Sequence, residues 1–174
     1  MINENSTKAE VLEAVKQDGY ALEDTSETLK NDKEVVLEAV KEWGGALQYA
    51  SEELKNDKDV VMAAVKNNGY ALYYASEGLR ADKEVLLAAV AQEAYALRFA
   101  SEELKGDRDF ILEVVTENWL ALDYASTEFK DDKEIVLEAV KQAGYAGDFA
   151  SDELKCEMAE CWAKCMDCEV KNDL

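Results

Sequence analysis

Asp32-Lys33-Glu34-Val35-Val36-Leu37-Glu38-Ala39-Val40-Lys41-Glu42-Trp43-Gly44-Gly45-Ala46-Leu47-Gln48-Tyr49-Ala50-Ser51-Glu52-Glu53-Leu54-Lys55-Asn56 is a 25-residue stretch, and Asp57 begins the same pattern again. Ser26, Ser51, Ser76, Ser101, Ser126 and Ser151 fall 25 apart without an insertion, and Leu29, Leu54, Leu79, Leu104, Phe129 and Leu154 follow three residues behind them. A fixed period of this size marks a solenoid, in which each unit buries its apolar face only against its neighbours. Six units follow: Thr7–Asn31, Asp32–Asn56, Asp57–Ala81, Asp82–Gly106, Asp107–Asp131 and Asp132–Cys156.

Within a unit, the columns of Val35, Val36, Leu37, Ala39 and Val40 are apolar almost throughout, at spacings that make one broad helical stripe. Asn31 and Asp32 supply an N-cap, Glu34 opposes the positive end of the dipole, and Lys41, Lys66 and Lys141 sit at the other end. Gly44, Gly69 and Gly144 predict a stop in which glycine takes positive φ. Ala94 and Trp119 stand in that column, so the helix is expected to run longer there or to turn differently. The second half, such as Tyr70-Ala71-Leu72-Tyr73-Tyr74-Ala75, predicts a short helix of about two turns. The serine then caps a final turn, pinned to the core by the Leu79 column.

The expected fold is all-α, a short-repeat α-solenoid. It is a superhelical array of six 25-residue helix-turn-short-helix units plus a C-terminal capping helix, roughly 50–60 Å long at helix-packing distances. The expected divisions are an N-terminal tail or cap over 1–6, the repeats over 7–156, a Cys-rich capping helix over 157–170 and a frayed tail over 171–174. Asp24 and Thr25, in place of the aromatic and alanine of later units, are expected to soften an uncovered first end. Gly147 breaks a leucine column, and Trp162 is the one tryptophan in the Leu37 column, which predicts the Trp162 indole lying over Gly147.

The 174 residues carry a formal charge of −20. That charge repels nucleic acids and anionic membranes and leaves a protein with a neutral or basic surface as the expected partner. With no histidine, neither a Ser-His-Asp nor a Cys-His pair exists, and no enzyme is expected. The polar start Met1-Ile2-Asn3-Glu4-Asn5-Ser6-Thr7 does not resemble a signal peptide, and no apolar run approaches the ~20 residues that span a bilayer. The expectation is a cytoplasmic monomer without cofactors.

The runs Asp57–Lys66 with Gly69–Arg80, and Asp132–Lys141 with Gly144–Lys155, carry a consensus of Asp-Lys-Glu-Val-Val-Leu-Glu-Ala-Val-Lys followed by Gly-Tyr-Ala-Leu-x-Tyr-Ala-Ser-Glu-Glu-Leu-Lys-Asn-Asp. This pattern resembles the helical repeat family catalogued as domain of unknown function 4116, over about Thr7 to Lys155. The resemblance implies a helical repeat with no assigned catalytic residue. It also implies occurrence in bacterial proteins, secreted effectors of intracellular pathogens among them, so delivery into a host cell belongs to the expectation. The cysteine-bearing tail lies outside it.

Four features could carry chemistry. The column Tyr49, Tyr74, Phe99, Tyr124 and Phe149 reads as packing between units, and Tyr20, Tyr70, Tyr95 and Tyr145 as tyrosines with wet hydroxyls at a groove edge. Glu52-Glu53, Glu102-Glu103 and Asp152-Glu153 lack the alternating ligand spacing of a calcium loop and read as solvated surface. Of Cys156, Cys161, Cys165 and Cys168, Cys161 and Cys165 fall in the Val36 and Val40 columns and read as small buried hydrophobes, Cys156 falls in a loop column and Cys168 in a variable one, with a metal-binding or redox module built on the Cys-rich helix as the alternative function. Two columns vary from unit to unit near the helix-to-helix turn, as binding columns of repeat arrays do. From them Trp43, Gln48, Tyr73, Arg98 and Asp123 are the expected protein-binding residues of a non-catalytic scaffold.

Overall fold

The computed structural model describes residues 2–156, and among these every regular element is helical. Each unit has a long α-helix and a six-residue 3-10 helix, and units one to five close with a single-turn α-helix. The long helices are Lys8–Val15, Lys33–Glu42, Lys58–Asn67, Lys83–Gln92, Arg108–Glu117 and Lys133–Gln142. The 3-10 helices are Gly19–Asp24, Gly44–Tyr49, Gly69–Tyr74, Ala94–Phe99, Trp119–Tyr124 and Gly144–Phe149. The expected second helix of two turns is therefore present in the tighter 3-10 winding. The expected Trp162–Gly147 contact, Cys161, Cys165, Cys168 and the capping helix lie outside the described residues.

Side-chain oxygens start most of these helices. Asp32 accepts from the backbone N–H groups of Glu34 and Val35, and Asp57, Asp82 and Asp132 repeat that geometry. Ser26, Ser51, Ser76, Ser101 and Ser151 each accept from the N–H three residues on, at the leucine column. In unit one a capping box takes over, with Glu10 bonding back to Thr7 N–H at 2.8 Å. Glu10 stands in the Val35 column but is exposed, and its carboxylate is used in the cap.

The core is the stripe of Val35, Val36, Ala39 and Val40 with its equivalents in units two to five, joined by Leu22, Leu47, Leu72, Leu97 and Leu122, all of them buried, whereas Ala14 and Val140 of units one and six are half-buried. The Leu37 column is half-buried, and Leu137 is 39% exposed. Thr25 does not soften the first end: it is only 2% exposed, and its hydroxyl donates to Leu22 O at 2.9 Å.

The glycine column works differently from expectation. No glycine has positive φ, and the long helix ends instead in an extended residue, Trp43 at φ −142° and ψ 106°. A Cβ on Gly19, Gly44 or Gly69 would stand 2.5, 2.4 and 2.4 Å from the carbonyl oxygen of Ala39, Ala64 and Ala89 in the following unit. Glycine is required there because two backbones meet. Nor do Ala94 and Trp119 lengthen their helices: Lys83–Gln92 and Arg108–Glu117 have the same 10 residues as the others of units two to six. The residue before the 3-10 helix takes the same extended conformation with or without glycine after it.

Polar ladders run along the array. Ser51 N–H donates to Lys30 O at 3.0 Å, with Ser76 to Lys55, Ser101 to Arg80 and Ser151 to Lys130 repeating the bond. The hydroxyls of Ser51, Ser76 and Ser151 donate to the side chains of Asn31, Asn56 and Asp131. A third ladder joins the basic residue after each cap to the cap of the next unit. Lys8, Lys33, Lys58, Lys83 and Arg108 pair with Asp32, Asp57, Asp82, Asp107 and Asp132 at 2.7–2.8 Å. Asn67, Asn118 and Gln142 reach back to carbonyls at the end of the preceding long helix, at 2.8–2.9 Å, satisfying groups that a helix terminus leaves open.

The junction between units four and five departs from this order. Ser126 makes no capping bond, and among the described residues neither serine rung forms to Lys105 or Gly106. A cleft of about 350 Å³ opens there between Lys105, Gly106, Tyr124 and Ser126. This is also the first junction at which the close-approach glycine is replaced, by Ala94. Its Cβ has no room at the backbone distance that Gly19, Gly44 and Gly69 permit.

Candidate protein-binding edge

The six 3-10 helices line up along one edge of the array, because each follows the same extended residue and contacts the next in turn. Three residues per turn put Tyr70 and Tyr73 on one side, and their rings lie 5.7 Å apart with 30° between planes. Tyr70 and Tyr73 also meet Phe99 of the next unit, at 5.2 and 5.3 Å. Tyr95 continues the row, 5.3 Å from Phe99 and 5.4 Å from Tyr124.

The tyrosine column fails at Gly45 and Leu120, yet aromatic cover is kept at both places. A Cβ on Gly45 would stand 2.5 Å from Cε2 and Cζ2 of Trp43. The indole thus occupies the place that tyrosine takes elsewhere, and it contacts Tyr20 at 5.6 Å and Tyr49 at 6.3 Å. In unit five Trp119 sits beside Leu120 and meets Tyr145 at 4.9 Å and Phe149 at 5.9 Å. The result is an aromatic edge in three groups, around Trp43, Tyr70 and Trp119.

The two aromatic columns share this edge unequally. Tyr49, Tyr74, Phe99, Tyr124 and Phe149 are half-buried and pack on the core. Tyr20, Tyr70, Tyr73 and Tyr145 are 48, 40, 53 and 66% exposed. Hydrogen bonds with Glu23 and Tyr49 push the Tyr20 phenol above its ordinary range, and burial with neighbouring tyrosines does the same for Tyr74. Both remain neutral phenols at physiological pH.

Of the residues expected to bind protein, Trp43, Tyr73 and Arg98 fall on the edge, Trp43 and Tyr73 in separate groups. The Arg98 guanidinium lies over the Tyr95 ring, 5.2 Å from its centroid. Gln48 is half-buried, and Asp123 is exposed, with Lys130 at 3.8 Å from its carboxylate and bonded to its carbonyl. Tyr20, Tyr70, Tyr145 and Trp119 belong to the edge but were not among the expected binding residues. The signal for the tyrosines was their column, wet at one end; for Trp119 it was an aromatic beside an interrupted tyrosine.

Glu52, Glu53, Glu102, Glu103, Asp152 and Glu153 are exposed, and among the described residues no three carboxylates or thiols are placed to hold one metal ion. Cys156 is exposed. No helix among the described residues is long and apolar enough to cross a membrane.

This arrangement is that of a short-repeat α-solenoid with one aromatic edge. The family with the description "Domain of unknown function (DUF4116)" matches at residues 11–55, 32–80, 57–105, 82–130 and 107–155. The chain belongs to that family. No curated protein and no solved structure matches the chain.

Proposed function

We propose that this chain is a non-catalytic helical-repeat scaffold that binds another protein along the aromatic edge. The observation that carries the reading is the row of exposed tyrosines, Tyr20, Tyr70, Tyr73 and Tyr145, on a frame of repeated backbone contacts. Aromatic rings supply large contact area at small entropic cost and are enriched at protein interfaces. Exposed apolar surface gathered on one edge calls for a partner in a way that scattered side chains do not. The absence of histidine and the exposed, solvated carboxylate pairs favour binding over catalysis. A monomer in the cytoplasm, or in a host cell after delivery, with a neutral or basic partner, fits the charge of −20.

The test is affinity capture from the source cell with the wild type and with Tyr70→Ser/Tyr73→Ser/Tyr145→Ser. These exposed side chains leave the core intact, so circular dichroism should not change. Partners retained by the wild type and lost by the variant support the edge. Equal recovery of every partner refutes it.

A further inference from the structure

The edge carries its own example of what it recognises. Where the chain supplies a cation, Arg98 lies over Tyr95 and that ring is half-buried. Where it supplies none, at Tyr20, Tyr70, Tyr73 and Tyr145, the rings stand 40–66% exposed. Guanidinium groups stack on aromatic faces and are only weakly hydrated, so an open tyrosine face beside carboxylates suits arginine better than lysine. The carboxylates are in place: Glu23, three residues on from Tyr20, and Asp18, Asp123 and Asp148 are exposed along the same edge.

Spacing narrows the partner further. Helical units stack at about 8–10 Å. A polyproline II strand rises about 3.1 Å per residue with three residues per turn, so every third side chain points the same way, about 9 Å apart. We propose that the partner docks an extended, polyproline-II-like segment with arginine at every third residue, one residue triplet per unit. Its arginines meet the exposed tyrosine rings of units one, three and six, and unit four is already filled by Arg98. This rests on the scaffold reading above and specifies the chemistry of its ligand.

Four labelled 18-residue peptides test it by fluorescence anisotropy at about 0.15 M salt. They are six Arg-Pro-Ser triplets, the same with lysine, the same with citrulline, and a peptide of equal composition with its arginines gathered in one block. Each ring–cation contact at an exposed site is worth about a two- to fivefold change in affinity. The arginine triplets should therefore bind at least about tenfold tighter than the citrulline form and severalfold tighter than the lysine form and the blocked arginines. Tyr70→Ser/Tyr73→Ser/Tyr145→Ser should lose about tenfold or more toward the arginine triplets and little toward lysine. Equal binding of triplet, lysine and blocked peptides, unchanged in the tyrosine variant, would mean undirected attraction to an acidic surface and would overturn the proposal. No binding of any peptide also overturns it. The scaffold reading falls separately, only if affinity capture fails to tell wild type from variant.

Discussion

Gly44→Ala is the most direct probe of how the units stack. The new methyl would stand 2.4 Å from Ala64 O and 3.0 Å from the Asn68 Cβ. Carbon and oxygen in contact need close to another ångström, and the obstacle is backbone held in the next helix by Asn68 N–H, which donates to that same oxygen at 2.9 Å. Overpacking of this kind costs about 1–3 kcal/mol. Because φ is negative, alanine returns about 0.4–1 kcal/mol by restricting the unfolded chain. The net expectation is a loss of about 1–2 kcal/mol, or a Tm lower by about 2–8 °C for a chain of this size. Gly106→Ala is the control. It also has negative φ, a Cβ there would meet nothing within 4 Å among the described residues, and alanine already stands at the equivalent Ala81. That variant should gain about 0.4–1 kcal/mol. Urea unfolding followed by far-UV circular dichroism, with m unchanged, reads both. If Gly44→Ala is as stable as the wild type, or both variants move the same way, glycine is not there for close approach.

A second test concerns the exchange of aromatic cover in unit two. Gly45→Tyr alone should destabilise by about 1–3 kcal/mol because Trp43 holds the space, whereas Trp43→Asn/Gly45→Tyr, which copies Asn68 and Tyr70, should recover much of the loss; a double-mutant cycle with no coupling energy would refute the shared site. Acid stability follows from the cap ladder. Hydrogen bonds from Lys8, Lys83 and Arg108 hold the Asp32, Asp107 and Asp132 carboxyls below their usual range; at Asp57 and Asp82 partial burial pushes upward, but the lysine and the cap N–H groups outweigh it. Depressed folded-state values mean stability that is present above the unfolded value near pH 4 and lost as pH falls through the folded values, so urea midpoints should drop below about pH 4 and Asp57→Asn should flatten that drop. Arg108→Ala removes pairs to Asp132 and Glu134, both at 2.7 Å, and should lower Tm slightly in low salt with a gap to wild type that closes near 1 M salt; a gap insensitive to salt would assign the loss to packing.

Much of the architecture was legible because a repeat writes each contact several times. Val35, Val36, Ala39 and Val40 show their burial by recurring, and the Ser51 column shows its capping role in the same way. Other features were legible as columns but carried a second meaning. Lys33 reads as part of a helix start, yet its partner is Asp57, 24 residues on, and that pairing reverses the helix-local logic: a cation near an N-terminus is tolerated because it neutralises the next unit's cap. Gly44 reads as a terminator because helix ends so often use glycine for positive φ, and only the position of Ala64 O discloses the other reason.

Least legible was the edge itself, since its continuity depends on departures that compensate one another. Gly45 looks like a gap in the tyrosine column and Trp43 like free variation in a turn column, and each is uninformative alone. Together they are one substitution, a ring supplied from two residues earlier. Leu120 with Trp119 is the same device in unit five, with the ring supplied from one residue earlier. An aromatic surface kept through two different replacements argues that a ring in every unit of the edge is what the repeats retain there, although the rings fall into three groups. Trp43 and Trp119 are half-buried and pack on the core, while Tyr20, Tyr70, Tyr73 and Tyr145 stand 40–66% exposed, so the edge presents more ring surface than the core takes up.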